Sequence, residues 1–170
     1  PAALHTTHNG PETKSLEYWQ TSSDPWVSVN SVYTYEPVYK LMREQSAHGM
    51  PAFLMESTYE DEHDATEDKL RRQAYEAVLA GGFGHVFGNN PMWHFDGPGL
   101  FKERLTWKQA LGSRGAQSMT HLSNILHRAK WWTLKPEAGG EGDGPVVSRA
   151  ADGSVLMAYL PKGGAVEVDL

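Results

Sequence analysis

Short β-forming runs alternate along this chain with helical patterns, and that alternation restricts the fold more than any other feature. Trp26–Tyr33 (WVSVNSVY) is rich in β-branched and aromatic residues and reads as a strand. Pro37 then suits a first helical turn, and Val38, Leu41, Met42 and Gln45 fall on one face at 3.6 spacing until Gly49. Pro51–Glu56 reads as the next strand. Leu70, Ala74, Ala77 and Val78 stripe a second helix, closed by Gly81-Gly82, and Phe83–Phe87 forms a further short strand. Ala2–Thr7 adds a strand at the start, running into the turn His8-Asn9-Gly10-Pro11. The order is β, loop, β-α-β-α-β, loop, α. Strands that alternate with helices imply a parallel sheet.

Asp64-Ala65-Thr66-Glu67 resembles a capping box, with Asp in the Ser/Thr place, and Thr106-x-x-Gln109 is another. A long loop carries Trp93, His94, Phe95 and Asp96. Met119, Leu122, Leu126 and Ala129 mark a last helix ending near Trp131-Trp132. The glycine-rich tract 137–144 then separates residues 1–136 from a different texture. Val146–Arg149, a turn at Asp152-Gly153, Val155–Leu160 and Ala165–Leu170 read as an antiparallel hairpin and a further strand, the beginning of a separate β domain over 145–170.

Bulk properties remove several function classes. Net charge is −6 and no Lys/Arg stripe forms, which argues against a nucleic-acid partner. No apolar run nears the roughly 20 residues of a membrane span. Without cysteine there is no disulfide or thiolate metal site. Gly81-Gly82-Phe83-Gly84 precedes a strand, the wrong order for a phosphate loop, and no G-x-S-x-G elbow supports a hydrolase of that type; no cofactor is expected. Six Trp, seven Tyr and eight His, many at strand ends or in loops, suit flat hydroxyl-rich ligands such as sugars. Because Pro1 is no initiator and a strand begins at once, the chain is expected to be a piece of something longer.

Parallel sheets bind ligands at the carboxyl ends of their strands. The expected ends carry His5 with His8, Asn30 with Tyr33, Glu56 with Tyr59, and His85 with Asn89. Strict alternation puts Ala52, Leu54 and Glu56 on one face and Phe53 and Met55 on the other. If Phe53 and Met55 meet the helices, Glu56 faces inward, where an unpaired carboxylate is costly unless it is hydrogen-bonded or catalytic. Tyr59 is placed to donate to it, and Arg71 or Arg72 to brace Glu60. A metal reading of His5 and His8 is set against their spacing, since residues i and i+3 of a strand point to opposite faces.

The series LHTTHNG, WVSVNSVY, AHGMPAFLMESTYE, RRQAYEAVLAGGFGHVFGNNPMW, GAQSMTHLSNIL and WWTLKPE resembles the apiosidase-like glycoside hydrolases over about residues 2 to 170. The tail DGSVLMAYLPKGGAVEVDL resembles the start of the small collagen-binding-like β domain that often follows them. The resemblance implies an α/β fold: the C-terminal half of a (β/α)8 TIM barrel, roughly strands five to eight. It implies a retaining glycosidase with two carboxylates, the nucleophile closing strand seven at Glu56 and an acid/base Asp closing strand four, before Pro1. His5, His8, Trp26, Asn30, Tyr33, Tyr59, His85 and Trp93 are implied to line the sugar pocket, with Glu60 and Arg72 behind them. The implied partners are a carbohydrate and either the other half-barrel or a second copy, in a periplasmic or secreted setting. Two other readings stand beside it: a non-catalytic carbohydrate-binding or structural module, and a metal-dependent hydrolase using His5, His8 and His85.

Overall fold

The structure, a computed structural model, describes residues 3–19, 26–98 and 101–168. Its elements in order are β1 (Thr13–Lys14), α1 (Ser15–Trp19), β2 (Asn30–Tyr33), α2 (Val38–Ser46), β3 (Ala52–Glu56), α3 (Glu67–Leu79), α4 (Asn90–His94), α5 (Trp107–Ala110) and α6 (Arg114–Arg128). A 3-10 turn (Trp131–Thr133) leads to β4 (Leu134–Pro136), β5 (Val146–Ala150) and β6 (Leu156–Tyr159).

β2 and β3 run parallel with α2 crossing between them, as the alternation of patterns requires. The sheet continues past β3 only as isolated parallel bridges, Leu54 to His85 and Glu60 to Asn89. The expected strand over 83–87 is therefore a segment that touches β3 at intervals. Two glycines, Gly84 and Gly88, break its run of side chains. The expected opening strand is likewise no ladder. Residues 3–8 run beside β2 in its own direction, His5 C=O accepting from the N–H groups of Ser28 and Val29. The second half of that edge is taken by β1, antiparallel to β2. The Ser15 hydroxyl lies between Thr7 and Ser31 and ties all three segments together. Both β1 and α1 lie in a stretch that reads as polar loop, and their formation depends on these contacts.

The helices cover one face of the sheet. Val32, Ala52 and Leu54 form a closed cluster with Val38, Met42, Ala77 and Ala80. α3 has a second apolar side, where Ala74 meets Leu122 and Leu126 of α6. Its N-terminus differs from expectation by two residues. Thr66, in extended backbone, accepts from the Lys69 N–H and caps the helix, while Asp64 pairs with the Lys69 ammonium from outside. The capping box at Thr106 and Gln109 is formed.

β4, β5 and β6 make a second, antiparallel sheet, with Val146 and Ala150 buried. Its first strand is drawn from residues that carry no strand pattern, and residues 163–168 form no strand among those described. The glycine-rich tract is held at several points. Arg43 donates to the carbonyls of Glu137 and Gly139, Arg72 to Asp143 and the Gly142 carbonyl, and the Gly142 N–H to the Tyr39 hydroxyl. Ser148 donates to the Leu79 carbonyl, and Tyr75 stacks on Tyr159 at 4.8 Å.

Candidate active site

The carboxyl end of β3 departs from regular pairing in one respect that decides where its acid points. Val32 pairs with Leu54, but Tyr33 pairs with Glu56, leaving Met55 as one surplus residue on β3. A bulge of this kind re-phases the side chains beyond it. Ala52 and Leu54 face the helices, the reverse of the condition under which strict alternation turns Glu56 inward. The surplus residue places Glu56 opposite Tyr33, on the face away from that cluster. Glu56 thus reaches the inner face through an irregularity, and it shares no face with Ala52 and Leu54.

Four side chains gather there. His8 Nε2 lies 2.5 Å from Glu56 Oε2, and the Glu56 side chain is 15% exposed. Tyr33 and Tyr59 both bring their hydroxyls to Glu56. Tyr33 also meets Tyr35, hydroxyl to hydroxyl at 3.1 Å, and its ring tilts against His8. Burial, the Tyr35 contact and the neighbouring Glu56 carboxylate push the Tyr33 phenol far above its ordinary range. Burial and then the charge of Glu56 push Tyr59 up to about 12. Both phenols are therefore neutral donors at any ordinary pH, suited to holding a carboxylate. Tyr59 is seated by Gly88: a Cβ at that position would overlap the tyrosine ring.

The remaining expected residues divide by position. Asn30 opens β2 opposite Ala52, a strand's length from Glu56. It is fully buried and satisfied, donating to Gln45 Oε1 at 3.0 Å and accepting from the Leu16 N–H. Trp26 precedes it, half-exposed, its ring against His5 and Trp19. Asn30, Trp26 and His5 belong to the amino end of the strands and are not brought to Glu56. His85 turns to the helix layer, lining a cavity of about 370 Å³ with Val78, Met119, Leu122 and Leu126. Its Nε2 is buried without a partner among the described residues, and desolvation lowers its pKa to about 4. His5, His8 and His85 thus stand in three different places.

Glu60 and Arg72 are also placed otherwise than as a pair. Glu60 accepts from the Ser113 hydroxyl at 2.5 Å, the Gly115 N–H at 3.0 Å and the Asn89 amide at 2.9 Å. It sits as a carboxylate at the N-terminus of α6, whose cap is Ser113. Arg72 binds Glu76 and the glycine tract, and Arg71 pairs with Asp68. Trp93, on α4, is half-exposed and donates its indole N–H toward Glu62 Oε1 at 3.4 Å.

Sequence reasoning missed Tyr35, Glu62 and Gly88. Tyr35 is two residues past Tyr33, a spacing that alternation could have flagged. Glu62 sits in an acidic run that reads as solvated surface, and Gly88 in an ordinary turn.

The Apiosidase-like, catalytic domain family matches residues 1–133. The chain belongs to the apiosidase-like family. Among solved structures this apiosidase-like chain is similar to a protein described as "Glycoside hydrolase", at 24% identity and a TM-score of 0.78, covering 92% of this chain and 44% of that one. It is also similar to a glycoside hydrolase family 5 protein from Bacteroides vulgatus ATCC 8482, at 22% identity and a TM-score of 0.73, covering 86% and 41%. The chain thus spans less than half the length of either, and both likenesses concern the fold. No curated protein sequence matches it. Among the described residues, no helix of this apiosidase-like chain is long and apolar enough to cross a membrane.

Proposed function

We propose that this chain supplies the C-terminal half of a retaining glycosidase barrel, with Glu56 as the nucleophile and residues 145–170 as the start of the β domain that follows. The observation that carries the reading is the turning of Glu56 by the Met55 bulge onto the face shared by His8, Tyr33 and Tyr59. A carboxylate at the carboxyl end of a parallel strand, held by an imidazole and two phenols, has its free oxygen lone pair aimed by its neighbours. In the first step a Glu56 oxygen bonds to the anomeric carbon as the glycosidic oxygen leaves with a proton from a second carboxyl group. In the second, water takes the place of Glu56 and returns the proton. Retention requires the two carboxyl groups about 5 Å apart. On the family resemblance, the second belongs to strand four of the whole barrel. Tyr33, Tyr59 and His8 orient Glu56 and, when a sugar displaces one of them, bond its hydroxyls. Trp93 supplies an aromatic face at the rim.

The test is Glu56→Gln in the full-length protein. The amide keeps the shape and cannot form a stable glycosyl ester. Turnover is expected to fall by about 10³-fold or more while glycan binding persists. Full activity in that variant would refute the assignment. A binding-module reading gains nothing specific from the structure, and a site using His5, His8 and His85 together is not supported by where they lie.

A further inference from the structure

The Glu12 carboxylate serves residues far along the chain rather than its own turn. Glu12 stands just before β1, exposed, with a φ of 58° in the left-handed region. A side chain crowds the backbone there, and glycine or asparagine fits more easily. Yet both Glu12 oxygens are used: Oε2 accepts from the Thr34 hydroxyl and Oε1 from the Tyr35 N–H, each at 2.6 Å. Thr34 is fully buried just past the end of β2, and its Oγ1 also accepts from the Glu36 N–H at 3.0 Å. The Thr34 N–H in turn donates to the Glu56 carbonyl at 3.1 Å. The Tyr35 hydroxyl meets that of Tyr33 at 3.1 Å, and Tyr33 pairs with Glu56 across the bulge. One carboxylate therefore fixes the two residues through which the end of β2 grips the end of β3. Closing the turn does not call for it, since Thr13 Oγ1 donates to the Gly10 carbonyl and β1 has its own ladder to β2.

We propose that Glu12 is a positioning residue for the Glu56 site, holding the Met55 bulge in the form that turns Glu56 onto the face shared with His8 and Tyr33. Without its carboxylate, Thr34 and Tyr35 lose their outer anchor. The Thr34 N–H is then free to leave the Glu56 carbonyl, and the Tyr35 hydroxyl to leave Tyr33. The bulge is the part of β3 most open to such a change, because a slip of one residue restores regular pairing. A non-glycine residue kept in a sparsely populated conformation beside a site holds strain that the surrounding structure must maintain. The catalytic consequence rests on the glycosidase reading, but the grip on the Glu56 carbonyl does not.

The experiment measures amide hydrogen exchange, residue by residue, together with steady-state turnover in the full-length protein. Glu12→Gly removes the carboxylate and eases the backbone, so the fold is kept. In it the Thr34 and Tyr35 N–H groups are expected to exchange about tenfold faster or more. The Asn30 N–H, bonded to the Pro51 carbonyl at 2.8 Å at the other end of β2, should keep its wild-type rate. The kcat is expected to fall about tenfold or more with KM within about twofold. Glu12→Asn, at ease in the left-handed region but too short to reach, should match Glu12→Gly. Glu12→Gln keeps the length, accepting from the Tyr35 N–H and donating to Thr34 Oγ1, and should recover most of both losses. The proposal is overturned if Thr34 exchange is unchanged in Glu12→Gly, if Asn30 speeds up by the same factor, which is a general loosening of β2, or if kcat is unchanged. Turnover retained in Glu56→Gln refutes the nucleophile reading instead, and exchange at Thr34 then decides the role of Glu12 by itself.

Discussion

Glu56 illustrates how much a single side chain's meaning depends on the backbone just before it. The residue type and its place at the end of an apolar run were legible in the sequence. The face it occupies was not, because alternation assumes a regular strand and Met55 breaks the count. The neighbours follow the same division. His8, Tyr33 and Tyr59 lie where strand ends predict, whereas Asn30 and Trp26 fall at the opposite end of β2, since pattern reading placed that strand's ends only loosely. Gly88 is the residue whose role only coordinates reveal. Any side chain there collides with the rigid ring of Tyr59, which has no free end to swing aside. We expect Gly88→Ala to push Tyr59 off Glu56 and lower kcat in the full-length enzyme by about 10- to 100-fold, with KM less affected. A parallel Tyr59→Phe variant should lose a comparable factor. If Gly88→Ala matches the wild type in kcat, Tyr59 does not depend on that glycine.

Among the elements, the helices were the more readable. Their apolar stripes match the buried faces of α2, α3 and α6, because a helix that buries one side must repeat at 3.6 whatever it packs on. Short extended segments carry no such guarantee. Residues 3–8 and 83–87 have β composition yet make only scattered hydrogen bonds and one isolated bridge, at His85, while β1 and β4 form from unremarkable residues because a neighbour offers an edge. α6 gains an anchor that its own sequence does not display. Its cap is Ser113, but the charge at its N-terminus is Glu60, from a distant loop, accepting from three donors. Replacing Glu60 with Ala leaves those donors facing a void and should cost about 2–3 kcal/mol of unfolding free energy. Chemical denaturation would read this as a lower midpoint at unchanged slope; an unshifted midpoint would mean that Ser113 alone suffices.

For the whole molecule, the sheet has helices on one side only among the described residues. Val86 and Phe83 remain substantially exposed, and Phe53 leaves the sheet opposite the helix cluster to meet Phe83. An apolar sheet face of this kind calls for a covering layer. We expect the 170-residue chain by itself to self-associate in size-exclusion chromatography and to become monodisperse when a complementary half-barrel is supplied. A stable monomer without such a partner would count against the half-barrel reading. The helix-covered side could be anticipated from the sequence; what covers the other side could not, because periodicity reports that a face is apolar and never names its neighbour. The Met55 bulge has a practical corollary for anyone redesigning this region. Removing one methionine, or adding one residue beside it, would exchange interior for exterior at the end of the strand without altering the chemistry of a single functional group. Loop grafts and chimeras here must therefore be matched by residue count before they are matched by residue type.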